Sequence, residues 1–262
     1  AVRSQLSRVK GGGLRAAILT NQIVSLLLSD VLGNDPTVIA SGPTVPLRTT
    51  RQDAREVVAE LGLADEMPPS VKRVLADNAT PAPAVCPDDV VVVVADNKTA
   101  VSAAAANLRR RRMRVQIEEI PRTGEARVVA EEWVMRLRDV PLDTDAIVGG
   151  GELTVTVKGD GVGGRNTEFA LAAAIELERL RIEDWAVASL ATDGEDGMTD
   201  VAGAIVDCSA PHELRTRHID PITSLHANDS FPGLDQIGAT VKTGPTGTNV
   251  NDLYFAIRKP AG

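Results

Sequence analysis

Aromatic side chains are nearly absent: three phenylalanines, two tryptophans and one tyrosine in 262 residues. The core must therefore come from valine, leucine, isoleucine and alanine. Cysteine is as scarce, and Cys86 and Cys208 stand in ordinary contexts, which excludes a disulfide scaffold or a zinc site and points to two structural thiols. None of the three histidines, His212, His218 and His226, has metal-like spacing to a cysteine, so they are read as surface or satisfied core groups. A basic surplus is missing too: 28 Lys and Arg face 36 Asp and Glu, for a net charge of −8. That balance excludes nucleic acid as the main partner. The one basic cluster, Arg109 to Arg112 followed by Arg114, reads as the favourable C-terminus of a helix. No apolar run approaches the ~20 residues that span a membrane, and no signal peptide opens the sequence, so the expectation is a soluble, cytoplasmic protein without a membrane partner. The phosphate-loop motif G-x-x-x-x-G-K-[ST], the protein-kinase H-R-D and D-F-G sets and the hydrolase elbow G-x-S-x-G are all absent.

What is present is glycine in a telling place. Residues 149–166 read GGGELTVTVKGDGVGGRN: a turn, a short alternating strand, a glycine loop, and a helix opening near Asn166. Backbone amides in such a loop, with the free N–H groups of a helix start, make an anion site, so Gly161, Gly163, Gly164 and Asn166 are candidate phosphate contacts. Arg165 and Glu152 flank the unit. A planar guanidinium suits phosphate oxygens and offsets charge on a transferring phosphoryl group. Glu152 is suited to a metal or a hydroxyl. Gly159, Gly161 and Gly164 also satisfy G-x-G-x-x-G, and Asp193 follows the next apolar run. The preceding strand alternates, whereas a dinucleotide turn follows a continuously apolar one, so the Rossmann reading stays open as the weaker of two.

Apolar runs alternate with helical patterns along most of the chain. Strands are expected at 23–28 and 90–95, both buried, and at 115–120, 146–148 and 185–191. Helices are expected at 51–61, after the cap candidates Thr49 and Thr50, and at 98–112, 125–138 and 166–179. This alternation argues for α/β architecture, with two three-layer α/β/α domains and largely parallel or mixed sheets. The proline-rich stretch 78–87 reads as a linker, giving domains at 1–88 and 89–262. With one convincing strand before that linker, the first, Rossmann-like domain reads as incomplete, with sheet edges and apolar faces exposed.

Three further loops carry chemistry. Residues 29–36, SDVLGNDP, follow a predicted strand where parallel sheets place ligands, and Asp30 is placed to hold a metal or accept a proton. Residues 192–200, TDGEDGMTD, set Asp193 and Asp196 among closely spaced acids that repel one another unless a cation or solvent offsets them. Residue 12 counted from Asp193 is Ala204, which excludes an EF-hand, and oxygen ligands alone suit magnesium better than zinc. Residues 243–252, TGPTGTNVND, offer Gly244, Thr246, Gly247, Thr248 and Asn249 as donors to a phosphate or carboxylate.

The order and spacing of these segments resemble the glycerate 2-kinase family, also called the type II glycerate kinase or MOFRL family. The segments are LSDV with IASGPTVP, GGGE with GGRN, TDG with DG, NDS at 228–230, and GPTGTNVND. The resemblance implies ATP-dependent phosphorylation of D-glycerate to 2-phosphoglycerate with Mg2+, in a cleft between two α/β domains. It places Asp30, Glu152 and Arg165 at catalytic positions, and Asp193 and the 244–249 loop in the nucleotide or metal region. It also implies a longer protein, whose Gly-rich serine loop and active-site lysine precede the segment seen here; Lys10 matches a different family segment. Activity is then expected to need that N-terminal segment, supplied in cis or in trans, and a homo-oligomer stays open. Two other readings stand beside it: a hydroxypyruvate- or tartronate-linked NAD(P)H oxidoreductase, and a non-catalytic nucleotide-binding remnant.

Overall fold

A capping box starts the best-defined helix of the N-terminal part: Thr50 Oγ1 accepts from the Asp53 amide (3.2 Å) while Asp53 accepts from the Thr50 amide (2.6 Å). In the computed structural model, residues 2–77 and 86–259 are described, and they form two compact units, Ala1–Val94 and Ala95–Gly262. Most of the predicted linker, residues 78–85, lies outside the described residues.

The first unit runs α1 (Val2–Gln5), α2 (Gly13–Ala17), β1 (Val24–Leu28), α3 (Arg51–Glu60), α4 (Pro69–Ala76) and β2 (Val90–Ala95). Its small core is Ala54, Val58 and Leu75, closed by Val2, Met67 and Val71. β1 and β2 pair as a two-stranded sheet, and the Val90 amide donates to the Ile23 carbonyl (2.8 Å). Both strands were expected to be buried. They are not: Leu26 is 67% exposed and Val94 50%. A valine run reports strand propensity, and nothing in its composition states whether another layer covers it.

The second unit continues with α5 (Asn97–Arg110), β3 (Val115–Ile117), β4 (Arg122–Glu125), α6 (Ala126–Arg136), β5 (Ala146–Thr154), α7 (Arg165–Leu180), β6 (Trp185–Ala191), β7 (Gly203–Asp207), α8 (Ala210–Thr216), α9 (Pro221–His226), α10 (Ser230–Gln236), β8 (Thr240–Val241) and β9 (Asp252–Arg258). Its sheet has the order β3-β5-β9-β6-β7-β8, with β4 pairing the far half of β5. β3 and β4 run parallel to β5, while β9 lies antiparallel between β5 and β6. The sheet is thus mixed. Strand–helix alternation predicts the parallel β5–α7–β6 unit, but not that the last strand inserts into its middle.

Alternate residues of the central strands face different layers. Val148, Leu253 and Phe255 meet α5 through Val101 and Ala105. Ile147, Val187, Tyr254 and Ala256 meet α6, α7, α8 and α10 on the opposite face. That larger core gathers four of the chain's six aromatics, Trp133, Phe169, Trp185 and Tyr254: Phe169 stacks on Tyr254 with centroids 5.1 Å apart, and Trp133 meets both edge-on. The triple glycine read as a turn is in fact the middle of β5. A Cβ at Gly150 would collide with the Asn97 side chain at the start of α5, so glycine here marks close packing rather than a bend.

Candidate active site

Two parallel strands, β5 and β6, end beside one another with the first residue of β9 between them: Asp252 is opposite Gly151 on one side and Ala191 on the other. The carboxyl ends of such strands are where open α/β sheets place ligands. Residues 155–164 leave from β5 and residues 192–202 from β6, and residues 243–251 lead into β9. Three segments singled out in the sequence therefore converge on one edge.

Arg165 is the first residue of α7. Its Nε and Nη2 donate to the two oxygens of Asp252 at 2.5 and 3.0 Å. Asp252 is fully buried and also accepts from Asn166 Nδ2 (3.1 Å) and the Tyr254 hydroxyl (3.4 Å). Its backbone carbonyl accepts from Asn97 Nδ2 at 2.9 Å. Burial works against the charge of Arg165. Contact with Asp252, and the fields of Glu152 and Asp196, overcome it and hold the guanidinium above its ordinary pKa. Burial likewise pushes the Asp252 carboxyl up, and Arg165 and Asn166 pull it only partly back. A guanidinium has five N–H groups, so three remain after the Asp252 fork, on a side chain 30% exposed.

The start of α7 differs from the expectation. Asp196, read as a metal ligand, is buried at 1% exposure and faces inward. It accepts from the amides of Asn166 (2.9 Å) and Thr167 (2.8 Å), from Thr167 Oγ1 (2.8 Å) and from Asn166 Nδ2 (3.2 Å). A carboxylate there satisfies orphan donors and meets the positive end of the helix dipole. Gly164 is glycine because a Cβ there would run into the Asp196 carboxylate. The helix-start amides that were to bind phosphate are thus taken by the protein's own anion.

The glycine loop departs in the same way. The amides of Lys158 and Gly159 donate to Asn228 Oδ1 (2.7 and 3.2 Å), that of Gly161 to the Ala227 carbonyl (3.1 Å), and that of Val162 to Asp229 Oδ1 (2.9 Å). The Gly164 amide donates to Thr167 Oγ1 at 3.0 Å. Glycine is needed at 161 because a Cβ would overlap the backbone of residues 227 and 228. Asn228 is the clasp: its Nδ2 donates to buried Glu168 (2.9 Å), which in turn is paired with Arg127 (2.8 Å). Asn228→Ala is expected to cost about 2–4 kcal/mol, since buried donors and acceptors lose their partner on both sides. A urea midpoint within error of wild type would contradict this.

The remaining expected residues fall into two groups. Asp193, half-buried, accepts from the Glu195 amide at 3.1 Å, and its carbonyl accepts from the Thr246 amide at 3.0 Å, so the acidic loop and the 244–249 loop lie side by side. Thr246 Oγ1 donates inward to the Thr192 carbonyl (2.6 Å) and Thr248 donates its amide to Thr246 Oγ1 (3.3 Å). Gly244 and Gly247 take left-handed φ values of 67° and 74° with open space where a Cβ would stand, and together with Asn249 they lie in an exposed turn. Glu152 is exposed on β5 opposite Thr123. Asp30 belongs to the first unit, exposed beside a Ser29 turn whose Oγ accepts from the Val31 amide (3.2 Å). Among the described residues no group of three or more His, Cys, Asp or Glu is placed to hold a metal ion. No described helix is long and apolar enough to cross a membrane.

Sequence reasoning quoted Asn251 and Asp252 within the 243–252 loop but gave neither of them, nor Asn97, a role of its own. Asn251 has φ 66° and a buried Nδ2 without a partner, at the foot of the exposed turn. The available signal for Asn251 and Asp252 was two polar residues directly ahead of the continuous apolar run 253–257, which marks side chains held at a sheet edge.

An α/β sheet with an arginine held at a helix start, a glycine–threonine turn and an acidic loop at one strand edge has the layout of a small-molecule site. The chain belongs to the glycerate 2-kinase family. Residues 145–252 match the MOFRL family and residues 1–76 match a domain of unknown function, DUF4147. A D-glycerate 2-kinase of Thermotoga maritima is 40% identical, covering 98% of this chain and 61% of its own length. A putative hydroxypyruvate reductase of Agrobacterium vitis is 38% identical, over 97% of this chain and 67% of its own. The crystal structure of a glycerate kinase from Thermotoga maritima superposes with a TM-score of 0.86 at 38% identity, over 98% of this chain and 62% of that one. The chain thus spans about three fifths of the length of the Thermotoga relative.

Proposed function

We propose that the protein transfers the γ-phosphoryl group of ATP to the 2-hydroxyl of D-glycerate, acting with the part of the family's length that lies outside this sequence. The observation that carries the reading is Arg165, which presents three uncommitted N–H groups from a guanidinium already anchored on a buried carboxylate. Phosphoryl transfer asks for positioning and charge compensation more than covalent chemistry. Arg165 supplies the charge and the fork. The amides of Gly244 and Gly247 and the Asn249 side chain supply neutral donors for nucleotide phosphates. Glu152, exposed and electrostatically coupled to Arg165, is placed to orient the acceptor hydroxyl. For the first unit by itself, the family resemblance implies a metal- or hydroxyl-orienting role for Asp30.

The residues fit magnesium only as a companion of the nucleotide. Mg2+ ordinarily keeps one or two carboxylates and fills its shell with water and substrate phosphates. Asp193 has one oxygen uncommitted for that, while Asp196 has none. Bound Mg2+ would neutralise phosphate charge. The rival hydride-transfer reading asks for a free glycine turn and a free helix start under a pyrophosphate, and both are engaged by protein acceptors.

Phosphorus NMR with Mg-ATP, with and without D-glycerate, tests the reading on this chain alone and mixed with the N-terminal remainder of the Thermotoga relative. A glycerate-dependent phosphomonoester resonance of 2-phosphoglycerate is expected in the mixture. Its absence from both samples, or glycerate-independent ATP loss only, overturns the proposal.

A further inference from the structure

We infer that Asp252 is the positioning residue of Arg165: it sets the plane and reach of the guanidinium so that the three remaining N–H groups point out of the sheet edge as a fixed unit. The consequence for catalysis rests on the phosphoryl-transfer reading above, whereas the positioning itself does not.

Arg165 is a long side chain at the first turn of a helix, partly exposed, and an arginine left to itself carries ~2 kcal/mol of rotamer entropy. One hydrogen bond would leave it free to swivel. Two bonds from Nε and Nη2 to two oxygens of one carboxylate fix the plane of the fork. An anchor is only as good as its own immobility, and Asp252 is held from every side. Its backbone lies within the sheet between Gly151 and Ala191, its carbonyl accepts from Asn97, and its carboxylate accepts from Asn166 and Tyr254. Asn166 ties the anchor to the helix carrying Arg165, because the same Nδ2 reaches Asp196 at 3.2 Å while Ser189 donates to Asn166 Oδ1 at 2.5 Å. With no exposed surface and both oxygens engaged, Asp252 has no route to substrate, so its role runs through Arg165.

Two measurements test this. The first is independent of activity: the Arg165 Nε–H resonance in 15N-edited NMR, assigned by its loss in Arg165→Lys. In the wild-type protein it is expected as one sharp, slowly exchanging signal, and in Asp252→Asn it is expected to broaden and exchange rapidly. The second is a double-mutant cycle on glycerate-dependent turnover in the complemented protein. Asp252→Asn should lower kcat roughly 100-fold, the scale of a misplacement of about an ångström, with KM little changed. In an Arg165→Ala background the same substitution should lower kcat no further. A fast-exchanging wild-type Nε–H, equal protection in Asp252→Asn, or a full Asp252→Asn effect retained without Arg165 would each overturn the proposal. If wild type shows no turnover while its Nε–H is protected and Asp252→Asn loses that protection, the kinase reading fails and the positioning stands. Should Asp252→Asn not fold, wild-type exchange at Arg165 decides alone.

Discussion

Arg165→Ala is expected to remove about three orders of magnitude of turnover and, separately, to make folding stability fall more steeply with rising pH. The first effect follows from the reading of Arg165 as the cation that stabilises charge on the transferring group, since such arginines contribute at least about 10³-fold. The second follows from what is left behind. Asp252 has no exposed surface, and removing one partner of a buried pair costs about 3 kcal/mol or more because the other charge stays buried. Burial already raises the Asp252 carboxyl above its ordinary pKa, and Arg165 is the main opposing influence. Without it the carboxyl climbs further. A carboxyl raised in the folded state binds more protons there than in the unfolded chain between its unfolded and folded pKa values. Its contribution is therefore fully present below the unfolded value, about 4, and lost as pH rises through the folded one. Urea midpoints from pH 4 to 8 should show Arg165→Ala losing stability across this window relative to wild type. Arg165→Ala with Asp252→Asn should lack that slope, having no carboxyl to titrate. Parallel pH profiles for wild type and Arg165→Ala would show that Asp252 is not the buried partner described here.

How far the sequence discloses such a site depends on the range of the interactions. Where the signal is local, it is legible: Thr50, one of the two cap candidates, caps the start of α3, and the apolar run 185–191 matches β6 residue for residue. Where the cause is remote, it is not. The triple glycine of β5 has the composition of a turn, but pairing with β9 and β4 holds it extended, and Trp133, Asn97 and Arg122 leave no room for a Cβ at its three positions. β9, the strand on which the site is built, comes last in the chain and inserts between two earlier strands, a placement that periodicity does not encode. Arg165 was legible from the glycines and the helix start beside it. Its partner Asp252 is 87 residues away, and the pair exists only once the sheet is assembled. The same distance effect reversed the meaning of Asp196. Acids crowded in a loop suggest a cation, but the donors that answer this one are amides 29 and 30 residues earlier in the chain.

For that reason Asp196→Ala should be strongly destabilising, and it separates a structural carboxylate from a metal ligand. Four donors converge on its two oxygens: Oδ1 takes the Asn166 amide and side chain, and Oδ2 takes the Thr167 amide and hydroxyl. Alanine leaves two backbone N–H groups buried without acceptors at the positive end of α7, at about 1–3 kcal/mol each, and forfeits the charge–dipole term of about 0.3–1 kcal/mol. The total, about 2–7 kcal/mol, reaches the whole stability of many domains at its upper end, so the variant should be partly or largely unfolded or lose roughly 5–25 °C in thermal midpoint. Asp196→Asn makes the sharper case. It keeps the shape and one acceptor oxygen, but its amide nitrogen must face either the Asn166 pair or the Thr167 pair, placing donor against donor whichever way it turns. It should therefore recover little of the loss. A metal ligand would behave otherwise: wild type would be destabilised by EDTA, rescued by Mg2+, and Asp196→Asn would fold normally while binding Mg2+ more weakly. Thermal melts of the three proteins with EDTA and with Mg2+ distinguish the two, and a wild-type midpoint that falls with chelator would overturn the structural role assigned to Asp196.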